Sequence, residues 1–414
     1  MMTRRRDGRD RIGRGARLVP LLLLVATVAH AQIAVRGDTV YTMAGPPIED
    51  GVVLLRDGTI EQVGPGSEVV IPAGYRTLTA TVVTPGLIDA HSVVGLAGYL
   101  NQEDDQDMLD RAAPIQPELR AIDAYDPSER LVEWLRGFGI TTIHTGHGPG
   151  ALVSGQTMVV KTVGRSVDDA VVLPTAMVAA TLGESARAAR GQSPGTRGKM
   201  VAMLRGELVK AQEYVQRLDR AEPGDEPATD LRLESLARVL SHEWPLLVTA
   251  HRARDILTAI RIATEFDVKI VLDGAAEAYL VIDEIKDAGV PVIVHPTMYR
   301  ATGETENLSF ETAATLKAAG IPIALQSGYE SYVPRTRVVL FEAGVAAAHG
   351  LNFEEALGTI TIEAATILGI ANRVGSLEVG KDADVALFDG DPFEYTTHCI
   401  GVIANGEVVS QEVR

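Results

Sequence analysis

Two textures alternate along this chain and divide it into parts. From Ile33 to Thr81, short β-rich runs are separated by tight turns. "DGVVLLRDGTIEQVG" holds two such runs around Arg56-Asp57-Gly58, and Asp-Gly is a strong hairpin signal. The C-terminal end has the same texture: "ADVALFDGDPF" and "IGVIANGEVVSQEV" read strand, tight turn, strand, the second around Asn405-Gly406. Two β-rich ends that flank everything else predict one small domain built from both, since chain termini often lie close together.

Between the ends a different cadence repeats: amphipathic helix, glycine or its equivalent, short apolar strand, polar residue. "LVEWLRGFGITTIHTG" ends its strand near His144, "ILTAIRIATEFDVKIVLDG" at Asp273, "VIDEIKDAGVPVIVHPT" at His295 and "TAATLKAAGIPIALQSG" at Gln326. Glycine just past a helix is the usual left-handed cap. Continuously apolar strands alternating with helices predict a parallel sheet buried on both faces. The length of the region, residues 85–372, suits a (β/α)8 barrel of the TIM type, and a doubly wound open sheet has the same periodicity. Val201, Leu204, Leu208, Ala211, Val215 and Leu218 recur at helical spacing and predict a helix over about 199–218 inside an insertion near 185–235. The expected architecture is therefore a (β/α)8 barrel over 85–372. A small composite β-sandwich domain accompanies it, made of residues 32–84 and 373–414.

Composition changes this picture at one end. Seven arginines between Arg4 and Arg17 precede the apolar run "LVPLLLLVATVA" and the small-x-small site Ala29-His30-Ala31. That order predicts a signal peptide over 1–31, by the general or the twin-arginine route, and an exported, periplasmic protein with no membrane anchor after cleavage. Without those residues, 38 basic and 55 acidic side chains become 31 and 53, a net charge of −22, which repels nucleic acid and anionic membrane surfaces. With Cys399 alone there is no internal disulfide, so stability must come from a core. A small-molecule substrate or ligand is the expected partner, and a homodimer is compatible with the fold.

Candidate chemistry collects where a parallel barrel puts it, at the C-terminal ends of the strands. His91, His144, His147, His251, Asp273 and His295 all close or follow apolar strands. Each alone has a bland explanation as a hydrogen-bonded core residue. Tyr329, Tyr332 and Arg335 follow the last barrel strand and could line a substrate pocket there, Arg335 suiting a carboxylate. "GHGPGA" fits a dinucleotide-binding spacing, but "LVSGQTMVVKT" after it reads as strand, not as the helix such a site needs.

"VVTPGLIDAH" resembles the first barrel strand of the amidohydrolase superfamily, in particular the imidazolonepropionase-like metal-dependent hydrolases. "VGSLEVGKDADVALFDGDPF" is similar to that family's return into its composite β-domain, and "ITIEAATILGI" to the helix before it. The resemblance implies a hydrolase of a non-peptide C–N bond in a cyclic amide or small peptide-like substrate, with a divalent, zinc-type ion. It carries ligand roles onto His91 and His251. In a rearranged site His147, Asp273 or His295 could complete the shell from neighbouring strand ends, and in a metal-free one Asp273 or a strand-end histidine such as His295 could serve as base. It also marks departures. The family's first strand carries His-x-His, and here Val93 stands at the second position. Its sixth strand ends in a histidine where this chain has Asp273-Gly274, and its eighth in an aspartate where this chain has Gln326, Ser327 and Gly328. Metal-assisted hydrolysis needs about three protein ligands and an open position. The residues therefore predict an atypical or degenerate metal site. The alternative is a catalytically inactive binding or interaction protein on the same fold.

Overall fold

The computed structural model describes residues 32–100, 102–189, 191–225, 227–329 and 338–414. The expected signal peptide, Tyr332 and Arg335 lie outside them.

Four strands come from the N-terminal part: β1 (Ile33–Val40), β2 (Ile48–Arg56), β3 (Thr59–Pro65) and β4 (Arg76–Pro85). Three come from the C-terminal end: β15 (Val385–Phe388), β16 (Cys399–Ala404) and β17 (Glu407–Ser410). They share one seven-stranded sheet in the order β17-β16-β15-β4-β1-β2-β3. The antiparallel pairing of Val385 with Pro85 and of Leu387 with Val83 joins the two ends of the chain. Asp57 and Asn405 both take positive φ before a glycine, as the two Asp/Asn-Gly hairpins require. Ile33, Val35, Val53, Leu55, Val83, Val385 and Ile403 alternate onto one buried face.

Ten further strands lie between these ends. They are β5 (Leu87–Ser92), β6 (Ile140–Thr145), β7 (Val153–Gln156), β8 (Met158–Lys161), β9 (Val171–Leu173) and β10 (Val178–Thr181). After them come β11 (Leu246–Thr249), β12 (Ile270–Gly274), β13 (Val292–Val294) and β14 (Ile323–Ala324). One sheet runs β14-β13-β12-β11-β10-β7 and another β5-β6-β8-β9. The two do not form one continuous ladder. They meet where Thr157, between β7 and β8, exchanges backbone hydrogen bonds with Ala176 and Met177. They meet again where Ala90 donates to Leu325 and Gly328 to His91. The α/β layering expected from the cadence is present, and β10 through β14 are parallel as predicted. One expectation fails: β7 and β8 run antiparallel to their neighbours β10 and β6. No helix separates β6 from β7, so the chain returns by a loop and must reverse direction.

Helices α1 (Arg130–Arg136), α2 (Val167–Ala170), α3 (Arg197–Arg220), α4 (Leu231–Leu240) and α5 (Ala253–Phe266) precede or follow these strands, as do α6 (Ile282–Asp287) and α7 (Thr312–Ala318). The helix predicted in the insertion is α3, but its buried stripe is Met200, Leu204, Leu208, Ala211 and Tyr214. Val215 is only partly buried and Leu218 is exposed, because α3 packs on α4 along a line one residue earlier than the apolar spacing suggested. Among the described residues no helix is long and apolar enough to cross a membrane.

Candidate functional site

Parallel strands place their last residues on one side of the body, and four polar residues meet there. His91 and Asp273, 182 positions apart in sequence, form a hydrogen bond of 2.8 Å between His91 Nδ1 and Asp273 Oδ1. Both are almost completely buried, at 1% and 0% exposure. Thr249 Oγ1 donates to Asp273 Oδ2 over 2.6 Å, and Gln326 Nε2 donates to Asp273 Oδ1 over 2.8 Å. β11, β12 and β14 each contribute one member from the strand or the residues just after it, so the cluster follows directly from strand register.

The electrostatics of the pair are one-sided. Burial alone would push the Asp273 carboxyl up, but the charge and hydrogen bond of His91, with Thr249 and Gln326, hold it below the usual carboxylate range. Burial pulls His91 down, and the Asp273 charge and hydrogen bond outweigh it, so its pKa is raised. His91 Nε2 is buried and has no hydrogen-bond partner in the protein; Gln326 Oε1 is in the same position. A buried polar atom left unsatisfied costs about 1–3 kcal/mol. Atoms of this kind at the ends of barrel-type strands mark where water or a ligand belongs.

A second pair stands beside the first. His251 Nε2 lies 3.0 Å from Tyr329 Oη, and Tyr329 Oη lies 3.5 Å from Tyr299 Oη. The Tyr329 ring also packs 5.8 Å from that of His91, so it touches both histidines. Burial pushes His251 down to about 4; Asp273 opposes this, while His295 and Arg252 reinforce it. His251 Nδ1 is buried without a hydrogen-bond partner. His251 also fills a space left by glycine. Gly274 has φ +76, and a Cβ there would fall 2.5 Å from His251 Cε1.

The remaining sequence candidates divide. His295 is fully buried, donates from Nδ1 to the Pro296 carbonyl over 2.9 Å, and lies close enough to His251 to depress its pKa. His147 does not join the cluster. Its ring packs on Gly155, where a Cβ would fall 2.3 Å from His147 Cδ2, because the β6–β7 loop turns it toward β7. Lys161 is also remote: it is buried in an ion pair with Asp384 and a 3.0 Å contact to Asp382, tying β8 to the seven-stranded sheet.

Three participants were not assigned a role from the sequence. His144 packs 5.7 Å from His91, with its nitrogens on the Ala90 carbonyl and Thr157 Oγ1, and burial pushes it down to about 3. Asp89 accepts from the Ser327 amide and hydroxyl, tying β5 to the segment after β14, and burial pushes it up to about 6. Tyr299 lies in a loop, where no periodicity announces it.

The zinc-type ion implied by the family resemblance can be tested against these donors. Both oxygens of Asp273 already accept hydrogen bonds from the protein, Oδ1 from His91 and Gln326 and Oδ2 from Thr249. His144 has both nitrogens engaged, and Gln326 points an N–H at the aspartate where a carboxylate would serve a cation. Among the described residues, no three histidine, cysteine, aspartate or glutamate side chains are gathered for an ion. The donor set does not fit the group.

Known proteins extend this geometry. The sequence profile of the Amidohydrolase family matches residues 94–410. An imidazolonepropionase from Rhizorhabdus wittichii is 26% identical over 384 residues, covering 86% of this chain and 92% of that protein. Amidohydrolase tasK from Hapsidospora irregularis is 24% identical over 379 residues, 83% of this chain but only 38% of its own length. The crystal structure of an amidohydrolase from Thermotoga maritima superposes with a TM-score of 0.86 at 30% identity, covering 92% of this chain and all of the other.

Proposed function

This chain belongs to the amidohydrolase family, and we propose that it hydrolyses a non-peptide C–N bond in a cyclic amide or small peptide-like molecule without the family's full metal set. The barrel reading of its α/β body, its export to the periplasm and its small-molecule substrate belong to the same proposal. The observation that carries it is the buried His91–Asp273 pair, in which His91 Nε2 is left without a hydrogen-bond partner, as are Gln326 Oε1 and His251 Nδ1.

The roles follow from the two histidines being driven apart. Asp273 orients His91 through Nδ1 and favours its charged form, which makes Nε2–H a donor to a carbonyl oxygen or a leaving nitrogen. His251 stays neutral, and with its Nε2–H donating to Tyr329 Oη its Nδ1 is free to take a proton from water. Opposed environments on neighbouring titratable groups are the usual mark of an acid and a base. Gln326 Oε1, an acceptor without a partner, would take the N–H of an amide substrate.

One observation favours a second reading, a binding protein without turnover: every oxygen of Asp273 is already engaged by the protein. A single experiment separates the two. The chelator-treated protein, its metal content measured by elemental analysis, is assayed on a panel of cyclic amides and dipeptides beside His91→Gln. The expected result is turnover that survives chelation and falls about 10²- to 10⁴-fold in the variant, the usual weight of a positioned acid or base. Turnover lost to the chelator and restored by zinc refutes the metal-independent mechanism. Saturable binding without turnover leaves the second reading standing.

A further inference from the structure

Away from the strand-end cluster, two helices face each other with matched stripes. On α3, Arg197, Val201 and Arg205 recur at i, i+4 and i+8; on α5, Arg254, Thr258 and Arg261 recur at i, i+4 and i+7. These spacings put each triplet on one helix face. The two faces flank an open cavity of about 330 Å³, with Met200 and Leu182 adding apolar wall. Four guanidinium groups therefore line one small space in a chain whose overall charge is −17.

They are not equally neutralised. Arg197 is held by Asp255, Nε lying 2.8 and 3.1 Å from its two oxygens, and Arg205 is held bidentately by Glu265 at 2.6 and 2.7 Å. Those carboxylates fix the two side chains in place. Arg254 and Arg261 have no carboxylate within ion-pair distance among the described residues; Arg261 donates only to the Thr258 hydroxyl. The rim of this cavity already receives one anion. Glu304, from the loop after β13, accepts the backbone N–H groups of Glu184 and Ser185 and lies 3.7 Å from Arg197. Gly183 makes room for it, since a Cβ there would fall 2.4 Å from Glu304 Oε1.

We propose that this cavity is a binding site for a small organic dianion, its two charges held by Arg254 and Arg261 and its short apolar body lying on Met200 and Val201. Paired guanidiniums recognise oxyanions of this kind through charge-assisted, forked hydrogen bonds. Dicarboxylates and phosphate monoesters share the chemistry, and the test distinguishes them. The full chain is titrated calorimetrically with succinate and with inorganic phosphate, each at ionic strength matched with sodium chloride. Saturable binding is expected for at least one probe, and the tighter of the two identifies the source. Arg254→Ala and Arg261→Ala should each weaken it at least about tenfold, the scale of one charge-assisted hydrogen bond. Arg238→Ala, which removes a guanidinium paired with Glu243 on another face, should leave it unchanged. Both test side chains are exposed, so a matched denaturation midpoint verifies folding of each variant. No saturable binding of either probe overturns the proposal, as does equal weakening by Arg238→Ala.

Discussion

The dependence of the His251–Tyr329 contact on Gly274 can be measured directly. Gly274→Ala meets two obstacles. Its φ of +76 lies in the left-handed region, which costs a residue bearing a Cβ roughly 1–2 kcal/mol. The new Cβ would also fall 2.5 Å from His251 Cε1 and 3.0 Å from Nδ1, well inside van der Waals contact. The ring must shift, which disturbs its 3.0 Å contact with Tyr329 Oη, and overpacking a buried site typically costs about 1–3 kcal/mol. The expected total is about 2–5 kcal/mol. Gly320→Ala separates the two contributions, since Gly320 has φ +79, is exposed, and has nothing within 4 Å of its added Cβ. It should cost the backbone part alone. Urea unfolding of both variants at one temperature gives the difference, from which unfolded-state effects of the same substitution cancel. The reasoning is refuted if the two variants lose equal stability. It is equally refuted if Gly274→Ala leaves the His251 resonances unmoved.

Other consequences follow from burial. His144, pushed down to about 3, and His251, pushed down to about 4, should stay neutral between pH 8 and pH 5, while His91 takes up a proton at a pH above the ordinary histidine value. Labelled-imidazole NMR reads this directly, and a His144 midpoint near 6.5 would contradict it. The sign for stability follows. The unfolded chain binds protons that folded His144 and His251 refuse, so their contribution is intact above about pH 6.5 and declines below it, by roughly 1.4 kcal/mol per unit for each group until its folded pKa is reached. Lys161→Met, which strands a buried Asp384 between β8 and the seven-stranded sheet, should cost about 3–5 kcal/mol in urea unfolding. Adding Asp384→Leu should restore much of that loss; a single variant costing under about 1 kcal/mol would show that the ion pair does not hold the two parts together.

Much of this was legible in the sequence, for identifiable reasons. The period-2 and helix–strand patterns are set by burial, so the alternation of helices and strands and the strand ends at His144, Asp273, His295 and Gln326 could be read from apolar runs. The antiparallel β7 and β8 could not, because strand direction depends on what connects the strands, and a loop and a crossover leave the same apolar run. Partners across the sheet were equally hidden. That His91 meets Asp273 depends on how the sheet holding β5 sits beside the one holding β12, a long-range arrangement that no local window contains. The placement of His147 was hidden for a related reason. It follows the apolar run that His144 closes, and the loop after β6 turns it onto Gly155, whose missing side chain is what admits the ring.

The three departures at the strand ends are best understood together. Val93 is fully buried, so the second position of the first strand is packed as core. Gly274 is occupied by the ring of His251, which leaves no room for a ligand side chain at the end of β12. Gln326 supplies a hydrogen-bond donor to Asp273, the one place where an added carboxylate would repel it across a buried contact. Each substitution alone could be reversed by a single change, but reversing either of the last two conflicts with another group already in place. Gln326→Asp would set two buried carboxylates against each other, and a side chain at 274 would displace His251. The present arrangement is therefore mutually supported: a neutral amide and an imidazole share one carboxylate, and a second imidazole fills a glycine's space. Such an arrangement satisfies Asp273 within the protein and leaves His91 Nε2, His251 Nδ1 and Gln326 Oε1 unsatisfied. Those three atoms are where the chemistry of this site has to be sought.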